Sequence, residues 1–68
     1  MAVENPFFRE LKPFIGDKVK IYLTSGDIIE EATLEAIDFK HLSIVVSHDK
    51  GKELIRGNAI LRLILPQK

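Results

Sequence analysis

Arg56 followed by Gly57 is the pair in this chain best placed to do chemistry. It follows the apolar run Leu54-Ile55 and precedes a second apolar run, so the guanidinium is delivered at a strand end beside a turn. Gly57 tolerates positive φ, and a sharp turn is expected there. A guanidinium so placed can stack on a flat ring, hold a phosphate or pair with a carboxylate. The structural alternative is a salt bridge to Asp38. A second group is Phe39-Lys40-His41, in a short connection between apolar segments. Phe39 is either a stacking platform, worth roughly 1–3 kcal/mol per base, or a core residue closing one end of the fold. Lys40 and His41 either meet phosphate or a base edge, or form a solvated turn. Asn58 either presents its amide to a ligand or serves the turn after Gly57. None of this is a catalytic constellation. His41 and His48 fall in different connections without a partnered nucleophile, and the absence of cysteine removes thiolate metal sites. The chain reads as a non-enzyme that needs no cofactor and no metal.

The elements that must position these residues follow from patterning. Asn5-Pro6 reads as a helix start, with Asn5 as cap and Pro6 in the first turn. Phe7, Phe8 and Leu11 form one apolar stripe, and Pro13 stops the helix. A helix this short needs a surface to pack on, and the expected one is the open end of a barrel. Gly16-Asp17 is a turn. Lys18 to Leu23 alternates, with Val19, Ile21 and Leu23 facing inward. Ser25-Gly26-Asp27 is a hairpin turn. Ile28 to Asp38 reads as one long strand with Ile28, Ala32, Leu34 and Ala36 on one parity and Ile29, Thr33 and Ile37 on the other. A bulge or bend near Glu30–Ala32 lets it serve both halves of a small barrel. A helix over Ile28–Ile37 is the competing reading, because Glu, Ala and Leu favour helices. Leu42 to Ser47 is a third strand, Glu53 to Arg56 a fourth and Ala59 to Leu65 a fifth, ended by Pro66.

The whole chain, 1–68, is read as a single mainly β domain, with a helix over about 5–12 and a bent five-stranded antiparallel barrel over about 16–66. A domain of 68 residues without disulfides is marginal alone. Yet 46% of it is apolar, more than such a core absorbs, which points to burial between subunits. The fifth strand carries the same message. Leu61, Leu63 and Leu65 are expected on one face, Ile60 and Ile64 on the other, with only Arg62 intervening. The fourth and fifth strands are the expected sheet edges, and an apolar edge is a hazard unless paired. Pairing it with the opposite edge of another copy is a heterologous contact that closes into a ring when the rotation allows. Ten basic and ten acidic residues cancel, so long-range attraction to nucleic acid or membrane is not expected. No run approaches a membrane span and no signal-peptide core is visible, so a cytoplasmic protein without membrane contact is expected.

At this point the chain resembles the Sm/LSm (Sm-like) family, the ring-forming RNA-binding proteins that include bacterial Hfq. The resemblance runs from Asn5 to Pro66. Gly16, Val19, Ile21, Leu23, Gly26, Leu34 and Asp38 fit the family's first motif. Ile55-Arg56-Gly57 followed by Ile60 fits the second, in its Sm form rather than the lysine-histidine form of Hfq. The resemblance implies a five-stranded barrel under an N-terminal helix and a hexameric or heptameric ring made by pairing the fourth strand with a neighbour's fifth. It implies uridine-rich single-stranded RNA at the pore, with a loop aromatic and the arginine stacking on a base while a loop asparagine reads its edge. Here Asp38 is followed by Phe39-Lys40-His41-Leu42, with no asparagine. With one loop residue missing, His41 takes the asparagine's place, because Leu42 and Ile44 then match the apolar pair after it. Phe39 or Lys40 takes the stacking place, and Ala32 or Glu31 replaces the family's second-strand glycine.

The expected RNA contacts are therefore Phe39, Lys40, His41, Arg56, Gly57 and Asn58. The expected subunit interface is Leu54, Ile55, Leu61, Leu63 and Leu65. A homo-oligomeric scaffold of the same fold, contacting protein rather than uridine-rich RNA, is the alternative. It is favoured by the zero net charge, the acidic second strand with Glu30, Glu31 and Glu35, and the missing asparagine.

Overall fold

The computed structural model describes residues 6–67. Asn5, the expected helix cap, lies outside the described residues. Helix α1 spans Pro6–Leu11 and runs into a 3₁₀ turn, Lys12–Phe14. Pro13 accounts for the change, because it lacks an N–H and its ring collides with the carbonyl four residues back. Five strands follow: β1 (Lys18–Leu23), β2 (Ile28–Asp38), β3 (Ser43–His48), β4 (Gly51–Arg56) and β5 (Ile60–Ile64). They form one antiparallel sheet in the order β4-β3-β2-β1-β5. The fold is thus mainly β, a short helix followed by a five-stranded sheet, consistent with an Sm-like fold. The sheet is open, with β4 and β5 as its two edges.

One core serves all of it. Phe8 and Leu11 of α1 are buried with Val19 and Ile21 of β1, Ala32 and Leu34 of β2, Ile44 and Val46 of β3 and Ile55 of β4. Ile60, Leu63 and Leu65 pack against the same cluster from the β5 side. A core reached from both edges requires the sheet to curl around it. The curl originates in β2, which carries two irregularities. Opposite β1, Val19 pairs with Ala32 but Ile21 pairs with Ile29, so Glu30 and Glu31 fill a step that a flat strand fills with one residue. Opposite β3, Leu34 pairs with Val46 but Ala36 pairs with Val45, which leaves Glu35 as an extra residue. Such insertions bend the strand and raise its twist. The first lies where the sequence predicts a bend; the second was not expected. Together they correct the predicted parity. Ile29, Ala32, Leu34 and Ile37 face the core, while Ile28 and Ala36 are exposed.

β5 departs from simple alternation for the same reason. Tyr22 pairs with Arg62 but Leu23 pairs with Ile60, so Leu61 is the extra residue. Leu61 therefore stands 66% exposed, while Leu63 and Leu65 turn inward with Ile60. The expected common face for Leu61, Leu63 and Leu65 does not form.

Gly57 has a different role from the one read in the sequence. Its φ is not positive; the left-handed glycines are Gly16, Gly26 and Gly51. What Gly57 provides is space. A Cβ there would strike the Phe8 ring and lie 2.9 Å from the Leu42 carbonyl oxygen. The same glycine donates its N–H to that carbonyl at 2.7 Å. Replacing Gly57 with Ala is expected to destabilise the fold by about 1–3 kcal/mol, the usual cost of overpacking a filled site. Shortening the ring in the double variant Phe8→Leu/Gly57→Ala should recover part of that loss. Thermal denaturation of the single and double variants measures both.

Candidate nucleic-acid interface

Three strand ends converge beside Gly57. Asp38 closes β2, Ser43 opens β3 and Arg56 closes β4, and the register places them in one row: Asp38 opposite Ser43, Ser43 opposite Arg56. Leu54 lies two residues before Arg56, on the same face of β4. With His41 from the β2–β3 connection they line a cleft of about 260 Å³. Arg56 makes no ion pair among the described residues, so the salt bridge to Asp38 weighed from the sequence is not formed. Its charge is available at the cleft.

Asp38 is instead spent on the connection. One of its oxygens, Oδ1, accepts the backbone N–H groups of Lys40 at 3.0 Å and His41 at 3.1 Å. The other, Oδ2, is 2.7 Å from His41 Nδ1. This is the local logic of an Asx turn, in which a carboxylate takes the place of a backbone acceptor. The His41 ring contact, helped by the two backbone N–H groups, holds the Asp38 carboxyl below its ordinary range. Ser43 is buried and donates its hydroxyl to the His41 carbonyl at 3.2 Å.

Leu42 completes the turn with φ 52°, the one described non-glycine residue in the left-handed region. A leucine there costs roughly 1–2 kcal/mol. The conformation suits Asn or Gly, so the position that would favour an asparagine is Leu42 rather than His41. Leu42 is 41% exposed and precedes β3 instead of opening it. Of the two residues matched from the sequence to the apolar pair after the asparagine, Ile44 is buried and Leu42 is not.

The remaining candidates separate. Phe39 is 39% exposed and outside the core, so it does not close the fold, and it stands outside the cleft lining. Lys40 is exposed and makes no ion pair among the described residues. Gly57 lies under Phe8, and Asn58 is exposed in the 3₁₀ turn Gly57–Ala59. Of the expected interface residues, Leu54 at 67% and Leu61 at 66% are strongly exposed on the two edges. Ile55 is 4% exposed and belongs to the core, and Leu63 and Leu65 also pack inward. These three side chains are turned toward the core and away from the expected interface.

Two clusters were not singled out by sequence. Tyr22 lies between Lys20 Nζ at 5.1 Å and the Arg62 guanidinium at 5.0 Å. The hydrogen bond with Tyr22 and the nearby Glu30 charge raise Lys20 above the usual lysine value. The alternation of β1 places Lys20 and Tyr22 on one face; their meeting with Arg62 depends on the β5 register. A wider groove, about 880 Å³, lies between the start of β2 and the β3–β4 turn. Its carboxylates, Asp27, Glu30, Glu31, Asp49 and Glu53, outnumber Lys18 and Lys50, which opposes a polyanion. His48 is spent there on structure, its Nδ1 accepting the Lys50 N–H at 3.2 Å and its Nε2 donating to Glu53 at 2.9 Å.

No family model matches the chain, and no curated protein matches its sequence.

The Asp38 network carries a pH signature. A carboxyl whose folded value is lowered stabilises fully above its unfolded value, ordinarily 3.8. That contribution is lost as pH falls through the folded value. The melting-temperature gap between wild type and Asp38→Ala should therefore be constant near neutrality and close as pH drops below about 3.8. A gap that persists in acid would mean that the charge of Asp38 contributes nothing.

Proposed function

We propose that this protein is an Sm-like subunit that assembles into a closed ring of identical copies and binds single-stranded RNA at the Arg56 cleft. The observation that carries the RNA part is the guanidinium of Arg56, which has no ion pair among the described residues. It sits at a strand end in a cleft with an oriented imidazole, while the nearby carboxylate is engaged by His41. The ring part is supported by the strand order. β4 and β5 are both unpaired edges of one sheet, and each presents a strongly exposed leucine, Leu54 and Leu61. An open edge of this kind is a template for another chain. Pairing β4 of one copy with β5 of the next satisfies both edges and repeats the Arg56 cleft around the assembly. Repetition multiplies a weak site, because later contacts become intramolecular. Zero net charge is compatible with this, since the field that matters is local.

A second reading, an Sm-fold scaffold that contacts protein, is favoured by a specific observation. Lys18 and Lys20 lie 3.8 Å and 3.6 Å from Glu31 and Glu30. The face of β1 and β2 thus has its lysines matched by carboxylates and offers RNA little net attraction.

Native mass spectrometry separates assembly from folding. Leu61→Asp places a charge on an exposed edge position, so the variant should fold but dissociate to smaller species. Leu63→Asp puts the charge toward the core, where desolvation costs several kcal/mol, and should compromise folding itself. A folded monomeric wild type at micromolar concentration would remove the ring.

Binding of oligouridine at two salt concentrations tests the RNA site. Arg56→Ala removes both a cation and a planar surface and should weaken binding far more than Lys12→Ala. The phosphate share should fall as salt rises while stacking persists. Equal affinities for wild type and Arg56→Ala, with both still assembled, would refute the site. No binding by wild type at low salt would favour the scaffold.

A further inference from the structure

The β3–β4 hairpin turns through Asp49 and Lys50, between His48 at the end of β3 and Gly51 at the start of β4, which pair in register. Two-residue hairpins ordinarily take positive φ at a central residue, because that twist matches the strands. Neither Asp49 nor Lys50 does so; the left-handed residue is Gly51, at φ 121°. The turn draws on a side chain instead. His48 Nδ1 lies 3.2 Å from the Lys50 backbone nitrogen. A backbone N–H can only donate, so Nδ1 must present a lone pair. In the neutral ring the proton is then on Nε2, which lies 2.9 Å from the Glu53 carboxylate on β4. One imidazole, its side chain only 15% exposed, thus ties β3, the turn and β4 together.

A proton on Nδ1 is incompatible with that arrangement. Two donors, Nδ1–H and the Lys50 N–H, would face each other at hydrogen-bond distance. Asp49 Oδ1 is 3.7 Å from Nδ1, on a side chain exposed enough to swing toward it. Nε2 keeps its contact with Glu53. Charging the ring therefore exchanges a backbone contact for a side-chain one and releases the Lys50 N–H to solvent. The other charged groups around the groove are Lys18 from β1, Asp27 from the β1–β2 turn, Glu30 and Glu31 from β2, and the Lys50 ammonium. Lys18 and Glu31 are paired with each other, and Glu30 is paired with Lys20. We propose that His48 is a proton-operated latch on the β3–β4 hairpin: the neutral ring holds the turn and the start of β4, and the charged ring releases them. The inference needs neither the ring nor the RNA reading, because β4 is an edge of the sheet whatever pairs with it.

Two measurements on the full chain test the latch. Nitrogen-15 spectra report which imidazole nitrogen carries the proton. Amide hydrogen exchange, corrected for its intrinsic dependence on pH, reports the Lys50 N–H. At about pH 8 the His48 proton should be on Nε2, with Nδ1 bare. Between about pH 8 and about pH 5, the range in which an ordinary imidazole charges, protection at Lys50 should fall about tenfold, the size of one net hydrogen bond. The fall should share its midpoint with the His48 ring. His48→Asn offers the Lys50 N–H an amide oxygen two residues back, as in an Asx turn, and does not titrate. Its Lys50 protection should stay level over the same range. A proton on Nδ1 at about pH 8, a ring that does not charge in this range, or a ring that charges while Lys50 protection is unchanged overturns the latch. A folded His48→Asn that keeps the wild-type pH dependence also overturns it, because the response would then belong to the carboxylates of the groove. The wild-type measurements suffice to refute the proposal even if His48→Asn does not fold.

Discussion

The close approach at Gly57 is the constraint on which the rest of the molecule depends. Phe8 occupies the volume where any other side chain would begin, and the backbone N–H beneath it reaches the Leu42 carbonyl. Three parts of the chain meet in that one contact: helix α1, the β2–β3 connection and the turn from β4 into β5. The helix is too short to be stable alone. It gains stability by covering this junction with Phe8 and by burying Leu11 in the core. In return it closes the end of the sheet at which Asp38, Ser43 and Arg56 are aligned. Ring packing and backbone hydrogen bonding thus fix the position of a cleft whose lining is polar apart from Leu54.

The strand count, the helix, most of the core and the location of the cleft were legible in the sequence. The reasons for some of them were not. Gly57 was identified as special through its freedom of conformation, but its role is steric and concerns Phe8, nearly fifty positions away. No local pattern reveals such a contact. β2 was ambiguous between strand and helix for a physical cause that the structure makes plain. Its inward residues, Ile29, Ala32, Leu34 and Ile37, are spaced three, two and three apart. Two bulges give a strand some of the spacing that otherwise marks one face of a helix. The Leu61 bulge likewise broke the alternation read for β5, so Leu63 and Leu65, expected at a subunit interface, pack on the chain's own core.

Within the cleft, Arg56 and His41 were accessible to sequence reasoning because their types and their places beside turns carry chemistry. Ser43 and the division of labour at Asp38 were not. Both depend on register, which places Asp38, Ser43 and Arg56 side by side from three strands. The sequence offered Asp38 as a partner for Arg56. The connection Phe39–Leu42 outcompetes the arginine for it, because two backbone N–H groups and an imidazole lie within three residues. Local contacts carry little closure entropy, whereas a long arginine side chain must be ordered first. The guanidinium is left without an ion pair among the described residues as a result.

The bulges of β2 also bear on how the chain tolerates genetic change. Glu30, Glu31 and Glu35 sit at the two irregular steps, and all are exposed. Their identities contribute little to the core, so a library of substitutions at these sites would return mostly functional clones. Removing one residue at each step is a different event. Ile29, Ala32, Leu34 and Ile37 would still face inward, now in strict alternation, and composition and hydropathy would barely change. The strand would simply run straight, and a straight β2 cannot bring both edges around one core. Curvature in this fold is encoded in how many residues β2 contains rather than in which ones. A gapless comparison of sequences would not register it, whereas a deletion scan would find it at once.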